Sequence, residues 1–77
     1  MTLNEAVAFR IKQLCKEKKL SLCALAERSG VSERTLKEIL RAPSERKIRF
    51  STILKICSGF DVSVYYFFKA KEFESLD

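Results

Sequence analysis

Leu3, Val7, Ile11 and Leu14 recur every three or four residues, which lays one apolar stripe along a helix predicted to run through about Lys19. TLNE marks its start. Thr2 can accept from a first-turn amide while Glu5 reaches back to the Thr2 amide, the reciprocal arrangement of a capping box. Phe9 lies off the stripe, which leaves it either to fold under the chain terminus or to meet another subunit. The run KEKK over residues 16–19 closes the helix, where positive charge suits the negative end of the helix dipole. Phosphate contact is the functional reading of the same run, and both can hold together.

The period then shortens into four further helices. Ser21 caps the second, whose stripe is Leu22, Leu25 and Ala26, and Gly30 supplies the left-handed residue that stops it. Ser32 caps the third at once, with Val31 and Leu36 placed as a hydrophobic staple that fixes the entry angle. Leu36, Ile39 and Leu40 form its buried stripe, and Glu33, Arg34, Lys37, Glu38 and Arg41 take the rest of the circumference. Residues 42–49, APSERKIR, make a basic loop. A fourth helix is predicted from about Ser51 to Ser58 on Ile53, Leu54, Ile56 and Cys57, with Phe50 packing at its start and Gly59 and Asp61 in the turn after it. Ser63 caps a fifth through VYYFFKA, with Val64, Phe67 and Phe68 inward and Tyr65 and Tyr66 keeping a polar end for water. KEFESLD is expected to fray.

Composition narrows the class. A chain of 77 residues makes one domain near the lower limit of a self-sufficient core, and 47% apolar residues supply the material. Two Gly and one Pro are too few for a turn-rich β fold, so the expected class is all-α. There is no apolar run of about 18 residues and no leader pattern at the N-terminus, so no membrane span and a cytoplasmic location are expected. Three cysteines and no histidine give neither a zinc ligand set nor a Cys-His or Ser-His nucleophile. No metal, cofactor or enzymatic activity is expected. Cys23 and Cys57 fall on apolar helix faces and are assigned to the core, Cys15 nearer the surface.

Charge adds a direction. Residues 1–50 hold twelve Lys and Arg against six acids, net +6, and residues 51–77 hold three against four, net −1. A basic front with a neutral rear suits nucleic acid, although a merely soluble surface has the same composition.

The segment LSLCALAERSGVSERTLKEIL resembles the helix-turn-helix of the lambda-repressor-like family, the Cro/cI or XRE type of phage and bacterial transcription regulators. IRFSTILKICSGFDVSVYYFF resembles that family's fourth and fifth helices, and the likeness covers about residues 4–68. Leu25-Ala26, Gly30, Val31, Ser32, Leu36 and Ile39 carry it as an ordered set. The resemblance implies a compact five-helix DNA-binding domain over residues 1–70, a short tail over 71–77, and a motif over about 21–41 whose third helix lies in the major groove. Glu33, Arg34, Lys37 and Glu38 are then the base-contacting candidates, Arg or Lys for guanine acceptors and Glu for the cytosine amino group. Ser21, Ser32, Arg41, Arg46 and Lys47 are the phosphate-contacting candidates. An ordinary reading stands beside each: Glu33 is also a first-turn acid favoured by the dipole, and Arg34 and Glu38 are spaced for a surface ion pair.

Departures from the family pattern fall at four places. Leu22 stands where a polar residue, commonly Gln, is usual, and Cys15 where an arginine is. Ala42 lies near a usual glycine, and Asp61 occupies another, a position that a residue tolerant of left-handed geometry can fill. The expected function is a sequence-specific DNA-binding regulator, a repressor acting as a homodimer on double-stranded DNA. Tyr65, Tyr66, Phe73 and Leu76 are the expected dimer surface, being apolar beyond the needs of five small helices. The alternative is a protein-interaction module on the same fold, such as an antitoxin or an antagonist of another regulator, which exposure of Leu22 and Phe9 would favour.

Overall fold

The computed structural model describes residues 1–45 and 47–74, which form α1 (Leu3–Glu17), α2 (Leu22–Ser29), α3 (Glu33–Arg41), α4 (Phe50–Phe60) and α5 (Val64–Phe68). Short 3-10 helices follow α3 at Pro43–Glu45 and α5 at Lys71–Phe73. Among the described residues there is no strand, and no helix is long and apolar enough to cross a membrane. Each predicted cap is made. Thr2 Oγ1 accepts from the Glu5 amide at 3.2 Å while the Thr2 amide donates to Glu5 Oε1 at 2.8 Å, and Ser21, Ser32 and Ser63 each accept from the amide three residues on. One core joins all five helices, built on Val7, Ile11 and Leu14 of α1, Leu25 of α2, Leu36 and Ile39 of α3, Ile53, Ile56 and Phe60 of α4, and Phe67 of α5.

Several boundaries and burials differ from the sequence expectation, each for a local reason. α1 ends at Glu17 rather than near Lys19, because the Leu20 amide bonds to the Cys15 carbonyl and the Lys19 amide to that of Lys16. This is a Schellman closure, with Lys19 itself in the left-handed region at φ 52°. The cysteines are partly exchanged: Cys23 is exposed, whereas Cys15 is half-buried against the core and Cys57 is buried. α2 turns Leu22, Leu25, Ala26 and Ser29 inward at helical spacing, which carries position 23 to the outside. Burial pushes the Cys15 and Cys57 thiols up from their ordinary value. Leu3, Phe50 and Leu54, read as apolar packing positions, are exposed.

Gly59 lies inside α4 and not in the turn after it. A Cβ there would stand 2.8 Å from Ser29 Cβ and 3.0 Å from the Ser29 amide nitrogen, so the absent side chain lets α4 close onto α2. Asp61 then ends α4 at φ 58°, the left-handed position anticipated for it. Residues 71–73 do not fray. They turn back along α1, and Phe73 sets its ring 4.9 Å from that of Phe68 and 6.2 Å from that of Phe67.

Arg10 is the largest surprise of the interior. Its side chain is only 6% exposed. Nε donates to the Phe67 carbonyl at 2.8 Å, Nη2 to the Tyr66 carbonyl at 2.7 Å and Nη1 to Gln13 Oε1 at 2.6 Å. The guanidinium also lies 5.1 Å from the centre of the Tyr66 ring, whose hydroxyl donates to the Glu17 carboxylate. A five-residue helix is too short to sustain itself, and here a cation from another helix meets the carbonyls at its negative end.

Candidate nucleic-acid interface

The α2–α3 corner is built from four hydrogen bonds and one backbone angle. Gly30 takes φ 79°, its amide donates to the Ala26 carbonyl at 3.0 Å, and the Val31 amide donates to Ser29 Oγ at 3.1 Å. Ser32 Oγ accepts from the Thr35 amide at 3.1 Å and donates to Thr35 Oγ1 at 2.9 Å. Val31 and Leu36, the two residues of the expected staple, are both buried in the same core cluster at the entry of α3. Leu36 and Ile39 anchor α3 from behind. The Ser29 bond, which ties the two helices across the glycine, gave no sequence signal beyond a small polar residue at a helix end.

On the outward arc of α3 the charges are already arranged in pairs. Lys37 Nζ lies 3.4 Å from Glu33 Oε2, and Arg41 Nη2 lies 2.7 Å from Glu38 Oε2. Glu38 therefore pairs with Arg41 and not with Arg34. The hydrogen bond to Glu38 is the first cause that raises the Arg41 pKa, with the charge of the same carboxylate second. Arg34 is exposed and makes no ion pair among the described residues. These pairs are solvent-exposed, where water and salt screen them, so they hold side chains in place more than they hold the fold.

Ser21 and Ser32, the cap residues among the phosphate candidates, sit exposed at the N-termini of α2 and α3, where first-turn amides have no partner within the helix. Lys47 is exposed in the loop after α3. Arg46 and Leu76 lie outside the described residues. Arg49, which sequence reasoning did not single out, is an exposed cation at the start of α4 and supplies no side-chain cap there. Of the apolar residues set aside for a dimer, Tyr65 is 74% exposed with Lys69 Nζ 5.7 Å from its ring centre. Tyr66 is exposed but already held by Arg10 and Glu17, and Phe73 is partly buried in its own chain's aromatic cluster. Leu22 packs against the core, whereas Phe9 is exposed beside Lys12, Gln13 and Lys16 along a shallow depression of about 330 Å³.

A model of the Cro/C1-type HTH DNA-binding domain matches residues 10–65, and the chain belongs to that family. Its fold is similar to that of an alanine-for-tyrosine mutant of the restriction-modification controller protein C.Esp1396I, with a TM-score of 0.80 and 28% identity over 90% of this chain and 87% of that one. No curated protein matches the sequence. Family and corner together make the protein a DNA-binding transcriptional regulator.

Proposed function

We propose that the protein is a repressor that inserts α3 into the major groove of an operator and binds it as a two-fold homodimer. The observation that carries this reading is Arg34, an exposed cation without an ion-pair partner among the described residues, on a helix fixed from behind by Leu36 and Ile39. A major groove admits one α-helix, and a bidentate guanidinium matches the paired acceptors of guanine. Lys37, Glu33 and Glu38 complete the base-facing set by exchanging their partners on the helix for base edges, a small loss for exposed pairs. Ser21, Ser32, Arg41, Arg46 and Lys47 face phosphate and set the register. Repression follows from occupancy, since a domain seated on an operator excludes other proteins from it.

A helix of nine residues touches only a few base pairs, so a symmetric pair is needed to select a site. Tyr65, Tyr66, Phe73 and Leu76 provide its surface. The experiment is selection of bound duplexes from a random pool, followed by sedimentation of the protein with and without the selected duplex. A palindrome with half-sites about 34 Å apart, bound by two copies, is the expected result. A strict monomer that binds one half-site as tightly as the whole would sink the dimer.

The second reading, an interaction module that acts through a protein partner, draws its support from the exposed Phe9 and none from the half-buried Leu22. Salt separates the two. Contact with about five phosphates gives a log-log slope of binding against salt of roughly −4 to −5, and a flat response would favour the partner protein.

A further inference from the structure

We infer that Asn4, on α1, is a positioning residue for the basic loop that follows α3, and so sets how tightly the protein holds DNA. This rests on the reading that the loop faces phosphate. Asn4 Nδ2 donates to the Pro43 carbonyl at 3.0 Å, across 39 residues of sequence. α1 packs on the Pro43–Glu45 turn, and the Glu45 amide donates to the Ala42 carbonyl at 3.1 Å. Further along, Ile48 packs against the core. Of the described residues of the loop, Pro43 is thus held by Asn4 and Ile48 by apolar contact, and the exposed Lys47 stands beside the second of these.

The physical consequence concerns entropy. A cation on a loose loop must be ordered when it meets a phosphate, and that ordering subtracts from the attraction. A loop fixed beforehand meets the backbone with most of that loss already taken during folding. Asn4 serves this purpose without touching DNA: its amide holds the carbonyl of the one proline, where φ is already restricted, so one hydrogen bond fixes the direction in which the chain leaves α3. Asn4 also occupies the first turn of α1, where Thr2 and Glu5 cap the helix independently of it. Its replacement therefore leaves α1 in place.

The test compares the full chain with its Asn4→Ala and Asn4→Gln variants in three measurements. These are thermal midpoint, affinity for the selected duplex across a salt series, and the rate of tryptic cleavage after Lys47 in the free protein. Loss of one such hydrogen bond corresponds to a factor of about five. Asn4→Ala should weaken binding by about that factor and speed cleavage after Lys47 several-fold. The slope against salt should stay as in the parent, because no phosphate contact is lost. Asn4→Gln keeps a donor and should recover part of both effects. Unchanged affinity in Asn4→Ala, or a slope flattened by about one unit, would overturn the inference, the second because Asn4 would then be a phosphate contact itself. A thermal midpoint lowered as strongly as by a core truncation would overturn it as well. Failure of the parent protein to select any duplex strikes the reading beneath it, and is told apart by the absence of binding before any substitution is made.

Discussion

α3 and α5 begin alike and end differently. Each starts from a serine whose hydroxyl accepts from the amide three residues on, at 3.1 Å for Ser32 and 3.0 Å for Ser63. α3 then runs nine residues, buries two apolar side chains and keeps a charged arc that nothing inside the protein requires. α5 runs five residues, is almost wholly aromatic, and has its Tyr66 and Phe67 carbonyls bonded by a guanidinium from α1. The difference separates two kinds of work. In α3 the fold needs only the inner face, so the outer one is available for a ligand. In α5 nearly every group is committed to holding the chain together, and only Tyr65 stands well clear. Substitutions in the two helices should therefore register in different measurements.

The strongest test is Phe67→Ala. Phe67 is fully buried, and its truncation should cost about 3–5 kcal/mol, enough to unfold much of the population of so small a domain. Circular dichroism against denaturant checks it, and a loss below about 1 kcal/mol would break the contrast at its root. Arg10→Met comes next at about 2–4 kcal/mol, because it removes the guanidinium bonds to both carbonyls and leaves that of Phe67 without its donor, the Tyr66 carbonyl keeping the Lys69 amide. A thermal midpoint lowered by about 10–20 °C is the expected reading. Arg34→Ala should do the opposite: about 1–3 kcal/mol of affinity lost on the selected site, relaxed preference at one base position, and a thermal midpoint unchanged within error. Equal loss on random duplex would reassign Arg34 to phosphate. Smallest is Glu33→Gln, which releases Lys37 and should change stability by no more than about 0.5 kcal/mol. Its sharper signature is tighter binding to random duplex, measured by competition titration, since one negative charge leaves the basic face.

What the sequence made legible was whatever local chemistry decides. Thr2, Ser21, Ser32 and Ser63 announce helix starts because a short side-chain oxygen beside an apolar run has few other uses, and Gly30 announces the corner because its backbone angle is closed to most residues. The family likeness shared two of those positions, Gly30 and Ser32, and took the rest of its ordered set from Leu25-Ala26, Val31, Leu36 and Ile39. Tertiary facts escaped. Gly59 looked like a turn residue because a glycine near a helix end usually is one, and only the approach of Ser29 shows why it belongs inside α4. Arg10 drew no reading from the sequence, since nothing near it betrays that its partners lie 56 and 57 residues away. The expected fraying fails at residues 71–73, because Phe73 finds ring partners in Phe67 and Phe68 that no local pattern marks. For the candidate interface, residue types on α3 could be named in advance, but which acid holds which base could not. Glu38 has basic neighbours on both sides in helical spacing, and geometry chose Arg41.

The Arg10 bonds also bear on where this module could be cut and moved. The family model's match ends at residue 65, yet the carbonyls that satisfy Arg10 belong to residues 66 and 67. A chimera that borrowed only the matched stretch would import a buried guanidinium without its acceptors and drop the Phe67 ring that fills the floor of the core. The smallest transplantable unit is therefore longer than its recognisable signature. Its closing stitch runs from the first residue of that signature to the pair just beyond its last.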